Sequence, residues 1–186
     1  MVDTQYIASI PYFHALNPEQ QSALAGITAI RAVPRGTALF RPGEPRKTFL
    51  IVLSGQVHVY SLFNGEVQTL ALLERDDFAV ESALVNPTYK HDHYGEMAAD
   101  GEVLEIDGKT FTEFRTSHPA IASTVYGQIV LNLTERLHHA NNKLVTIYTT
   151  GKIASTYDNL DNLSELLLTT ILSIIKAKRG IFVLYK

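Results

Sequence analysis

From Arg31 to Ile106 the chain alternates short apolar and β-branched runs with glycine, proline and asparagine: "TALF", "RPGEPRK", "TFLIVL", "SGQ", "VHVYSLF", "NG", "EVQTLALL". Such runs favour the pleated, half-buried surface of a sheet, and the punctuation supplies residues that accept turn geometry. Asn64-Gly65 between two of the runs predicts a hairpin, because both central residues of the tight turn must take positive φ. "GEVLEI" (101–106) adds a late strand. Strands this short and evenly spaced predict a jelly roll or barrel rather than a parallel sheet. The 186 residues allow one full domain plus something extra.

The flanks have a different period. Asn17-Pro18-Glu19-Gln20 is a helix start, with Asn17 as N-cap and Pro18 at the first helical position. Leu24, Ile27 and Ile30 follow at helical spacing, so residues 1–30 are expected to form short helices. Beyond "DGKTFTEFRTSHPA", the residues Tyr126, Val130, Leu133, Leu137, Ala140, Leu144 and Ile147 are spaced 4, 3, 4, 3, 4, 3. This heptad seam predicts a long helix over 116–148 that dimerises as a two-helix coiled coil. The other reading is one helix laying its stripe on its own barrel. "TTGKIASTYD" (149–158) reads as a linker, followed by an amphipathic helix and the strand "IFVLYK" within 159–186. A lone apolar strand is an aggregation-prone edge unless paired, so the chain is expected to be a piece of a longer protein or to dock its tail on a partner.

Composition narrows the functional classes. There is no cysteine, which excludes disulfides and thiolate metal sites. The first 21 residues lack a basic region followed by an apolar core, and no apolar run is long enough for a bilayer, so a cytoplasmic location without membrane contact is expected. Sixteen Lys and Arg are scattered against a net charge of −3, and only "KAKR" (176–179) clusters. With no general basic field, DNA binding by this chain alone is not expected. Neither a P-loop, a G-x-S-x-G elbow nor a Ser/His/Asp arrangement is present, so no catalytic residues are assigned and the chain is not read as an enzyme.

"PYFHALNPEQQSAL", "VPRGTALFRPGE" with Gly36 and Gly43 at turns, and "FLIVLSGQVHVY" with Gly55 at a turn stand in the order of three family motifs. Together they resemble the cyclic nucleotide-binding domain of the catabolite-activator superfamily, over residues 7 to about 147. The resemblance implies a mainly β jelly roll (double-stranded β-helix) with flanking helices, a sensor domain over 1–115, and a long C-terminal helix that passes a signal to a downstream effector. The short helix-strand tail, 159–186, resembles the opening of a GAF domain.

The family's phosphate-binding cassette runs F-x-G-E-x-x-L, then a loop, then R-[ST]-A. Phe78, Glu81 and Leu84 match it; Ser82 follows the glutamate. Val80 stands where the cassette has glycine, and His91, Asp92 and His93 stand where it has Arg, Ser and Ala. Histidine cannot form the bidentate clamp of a guanidinium, and Asp92 sets a negative charge beside the expected anion. The implied module is a regulatory sensor with a degenerate pocket, serving as a dimeric scaffold or taking a less anionic ligand. One alternative is a working cyclic-nucleotide sensor that uses Glu81 and Lys90. A second places His91 and His93 on one face of a strand, where with Glu96 they would ligate a metal in a jelly-roll protein. A third reading makes "YKHDHY" a solvated loop. No cofactor is demanded; the candidates are a cyclic nucleotide or another small ligand.

Overall fold

The computed structural model describes residues 2–156 together with Leu168, Thr169, Leu172, Arg179, Ile181 and Val183. The chain forms two compact units, Met1–Ile129 and Val130–Lys186.

The first unit opens with α1 (Thr4–Ser9), a 3-10 turn at Pro11–Phe13 and α2 (Pro18–Ala25). Helix α2 starts as its sequence demands. The Asn17 side chain accepts from the Gln20 amide, and the Gln20 side chain accepts from the Asn17 amide, which completes a capping box. The helix then stops short of the expected boundary. Gly26 closes it, and Ile30 belongs to strand β1 (Thr28–Val33), not to a helix. The helical spacing of Leu24, Ile27 and Ile30 is coincidental, since Gly26 separates the helix from the strand that holds Ile30.

Strands β1, β2 (Ala38–Phe40), β3 (Thr48–Phe63), β4 (Glu66–Leu73), β5 (Phe78–Ala79) and β6 (Tyr94–Asp107) form an antiparallel jelly roll. Its frame is the pair β3 and β6, joined from Thr48↔Asp107 to Tyr60↔Tyr94. One half of that pair carries β1 and β5 at its edges, and the other carries β2 and β4. Between the halves the register shifts three times, between Val52 and Val57. Bulges of this kind let a strand turn a corner and serve both layers.

Gly55, expected at a turn between two strands, lies inside this continuous bulged strand. Its φ is +79°, and a Cβ there would stand 2.6 Å from the Asp100 carbonyl oxygen. The corner therefore demands glycine for both conformation and space. Asn64 (φ 53°) and Gly65 (φ 84°) form the β3–β4 hairpin as expected. The core spans both halves of the roll: Leu50, Val52, Val33 and Val103 from one side meet Val57, Leu73, Met97 and Phe40 from the other. Successive residues on β3 point to opposite faces; Phe49, next to Leu50, packs on Phe78 instead.

Helix α3 (Gly108–Ser117) follows β6 directly, capped by the Asp107 side chain, which accepts from the Thr110 amide. Helix α4 (Pro119–Thr156) starts after His118, three residues later than the expected 116, because proline favours the first helical position. It runs on through 149–156, most of the stretch read as a linker, since extending an existing helix costs little once it is nucleated. In the first unit it buries Ile121, Ala122, Val125 and Ile129. The segment 159–186, expected to open a GAF-like module, falls almost wholly outside the described residues.

Candidate ligand site

Strand β5 delivers the cassette. Phe78 pairs with Ile51 on β3 and is fully buried, its ring edge-on to Tyr12 at 5.1 Å. Val80 then takes a left-handed conformation, φ 63° and ψ 33°, and begins the 3-10 turn Glu81–Leu84. A β-branched residue is rare there, because its Cβ crowds the following carbonyl. Its side chain packs against the apolar core of the roll. The position thus keeps a glycine's backbone while filling the space that a glycine would leave open.

The 3-10 turn is clamped from below. A Cβ on Gly108 would collide with the Ala83 carbonyl oxygen, so the first residue of α3 lies directly against the turn. The Leu84 carbonyl accepts from the Tyr126 hydroxyl of α4 at 2.8 Å, and the Tyr126 ring meets Phe111 edge-on at 5.6 Å. Tyr126, read as the first residue of a dimer seam, therefore makes its hydrogen bond and ring contact within its own unit.

On the far side, residues 89–91 are stitched to 43–46. The Gly43 amide donates to the His91 carbonyl, the His91 amide to the Glu44 carbonyl, and the Arg46 amide to the Tyr89 carbonyl, at 2.8, 2.8 and 2.6 Å. Pro45 and Lys90 form an isolated antiparallel bridge. Lys90 itself is exposed. His91 turns inward: it is buried and stacks on Phe40, centroids 4.5 Å apart and planes 8° from parallel. Gly95 lies against the tip of the Phe40 ring, where any Cβ would collide with it. Burial, and then the neighbouring Arg46 guanidinium, push the His91 pKa down, which favours the neutral ring. The same histidine lines a cleft of about 380 Å³ with Phe40, Glu44 and Lys47.

The strand on which the metal alternative relied is not there. Residues 91–93 are not a strand; β6 begins at Tyr94, so the alternation that would place His91 and His93 on one face is absent. Glu96 instead accepts from the Tyr60 hydroxyl at 3.4 Å, and Tyr60 stacks on Tyr94. Burial first, then Glu96, push the Tyr60 hydroxyl pKa up. Among the described residues no group of three His, Asp or Glu is placed to hold a metal ion.

A cation that sequence spacing did not reveal lies in the cassette. Arg46, from the loop before β3, donates through Nη1 to Ser82 Oγ at 3.1 Å and through Nη2 to Asp92 Oδ2 at 2.8 Å. Its Nε is buried without a hydrogen-bond partner among the described residues. Arg46 is 36 residues from Ser82 and 46 from Asp92, and only the closed roll brings them together.

Comparison with known proteins agrees with the fold. The cyclic nucleotide-binding domain family matches residues 30–118. The jelly roll has the fold of a cyclic nucleotide-binding domain. A cyclic nucleotide-binding domain of Methylobacillus flagellatus superposes with a TM-score of 0.65, at 17% identity, covering 84% of each chain. Glutaminase 1 of Bradyrhizobium diazoefficiens is 30% identical over 142 residues, 76% of this chain and 22% of its own length. A probable transcriptional regulator, flp, of Lacticaseibacillus casei is 29% identical over 116 residues, 62% of this chain and 52% of its own. The chain thus spans a fifth to a half of the length of these curated relatives. No helix among the described residues is long and apolar enough to cross a membrane.

Proposed function

We propose that the cyclic nucleotide-binding domain of this chain is a non-catalytic regulatory module that does not take cyclic AMP in its family's usual way. It acts as a dimeric scaffold, or as a sensor for a less anionic ligand, and passes its state through the long helix to an effector. The observation that carries this is the residue at the cassette's arginine position. His91 is buried, committed to Phe40 and held toward neutrality, so it offers no guanidinium fork to a cyclic phosphate. Val80 supports the same reading, since its side chain occupies the core face of the cassette.

The relay has a physical candidate. The hydrogen bond from Tyr126 to Leu84 ties the end of the cassette turn to α4, so a shift of that turn is felt by the helix. Any ligand that moves the helix must contact the cassette differently in two states. Dimerisation rests on the seam: Val130, Leu137, Ala140, Leu144 and Ile147 are exposed, with Leu137, Leu144 and Ile147 at 62, 63 and 69%. Such an apolar stripe at heptad spacing is what a second helix covers. The probable transcriptional regulator and the glutaminase among the relatives suggest that modules of this kind are attached to different effectors.

A thermal-shift screen with cyclic AMP and cyclic GMP in millimolar excess tests the reading. A ligand at a hundred times its Kd adds about 2.7 kcal/mol of stability. The expected result is no rise in midpoint with either nucleotide; a clear rise with either one overturns it.

A further inference from the structure

Two arginine–carboxylate pairs in the first unit use the guanidinium differently. Arg31 places both Nε (2.9 Å) and Nη2 (2.6 Å) on the same Glu105 oxygen. Arg46 places only Nη2 on Asp92, while its Nε stays buried and unpartnered. Nε and Nη2 share one edge of the planar group, the edge that matches two oxygens of a carboxylate or phosphate. The Arg46–Asp92 pair is thus half-made. The other branch of Arg46 is anchored on Ser82, directly after the cassette glutamate Glu81. The Arg46 side chain is one-quarter exposed and Asp92 three-quarters exposed. Of the two partners, the carboxylate is the one free to leave toward solvent.

We infer that Asp92 is a tethered anion occupying Arg46, and that it is the residue which sets this cassette against phosphate-bearing ligands. The inference deepens the proposed function: it rests on a cassette closed to cyclic AMP and names what closes it. A carboxylate on the same chain competes at an effective concentration that a free anion at low millimolar levels does not match. With Asp92 gone, Arg46 remains anchored on Ser82 and presents two donors on one edge to an incoming oxyanion. The ligand class thereby admitted is a small phosphate or phosphate ester, bound through Arg46 and not through a residue at position 91.

Inorganic phosphate is the probe, titrated into the full chain and followed by phosphorus NMR line broadening and by calorimetry. The proteins are the wild type, Asp92→Asn, Asp92→Ser and the double variant Asp92→Asn/Arg46→Gln, each first shown to be folded by circular dichroism. Either single variant is expected to bind phosphate at least tenfold tighter than the wild type, and the double variant to lose that gain. Single variants no tighter than the wild type, or a double variant that keeps the gain, would overturn the inference. Using two replacements at Asp92 ensures that one poorly folded variant does not decide the matter. Cyclic AMP binding by the wild type bears on the proposed function instead, so the two failures are distinguishable.

Discussion

The imidazole of His91 lies flat on the ring of Phe40, 4.5 Å away and 8° from parallel. This contact makes the imidazole a piece of the packed interior, and it makes the fold sensitive to pH. Burial and Arg46 lower the folded-state pKa of His91 below its ordinary value near 6.5. The unfolded chain therefore takes up the proton first as pH falls. Stability from this group is complete above about pH 6.5 and is lost as pH drops below that value toward the folded pKa. Denaturant melts between pH 7.5 and 5 are expected to show falling stability for the wild type and a shallower fall for His91→Phe, which keeps the stack without the titration. Equal slopes would contradict this.

Val80 gives a prediction of reversed order. At an ordinary φ, glycine in place of alanine costs roughly 0.5–1 kcal/mol. At φ 63° every residue with a Cβ is strained, by about 1–2 kcal/mol. Both Val80→Ala and Val80→Gly lose the packing of Val80 on the core, but only the glycine variant sheds the strain. Val80→Gly is expected to be the more stable of the two by about 1 kcal/mol in urea unfolding. The opposite order would mean that the left-handed conformation carries no cost here.

A charge in the proposed seam tests dimerisation. Leu137 is exposed within α4, and Leu137→Asp would place a carboxylate where two apolar stripes meet. Light scattering is expected to find the wild type dimeric and the variant shifted toward monomer, with far-UV circular dichroism showing the jelly roll retained. A monomeric wild type, or a variant still fully dimeric, would remove the coiled coil from the account.

The legible parts of the sequence were those in which the cause is local. Asn64-Gly65 announced its hairpin and Asn17-Pro18 its helix, because the side chains that fix the geometry are neighbours in the chain. Two local signals were misread. Gly26 ends α2 before the spacing of Leu24, Ile27 and Ile30 can be honoured, and Gly55 marks a bulged corner instead of a turn. The cassette was legible as a position but not as a set of contacts. Val80 and His91 stood out as departures, yet the inward stack of His91 depends on Phe40, 51 residues earlier in numbering. Arg46 was invisible for the same reason. "GEPRK" looks like an ordinary turn, and only the backbone stitching of 43–46 to 89–91 carries its guanidinium to Ser82 and Asp92.

A calorimetric titration of cyclic AMP into the wild-type chain asks most directly whether the cassette is closed to this nucleotide. A cassette in which His91 is buried against Phe40 and Arg46 is paired with Asp92 is expected to give no saturable heat at nucleotide concentrations up to about 1 mM, a binding free energy no more favourable than about −4.1 kcal/mol. A saturable isotherm with a micromolar Kd would contradict the account, and would mean that Glu81, Lys90 or the backbone of the 3-10 turn holds the nucleotide despite both departures.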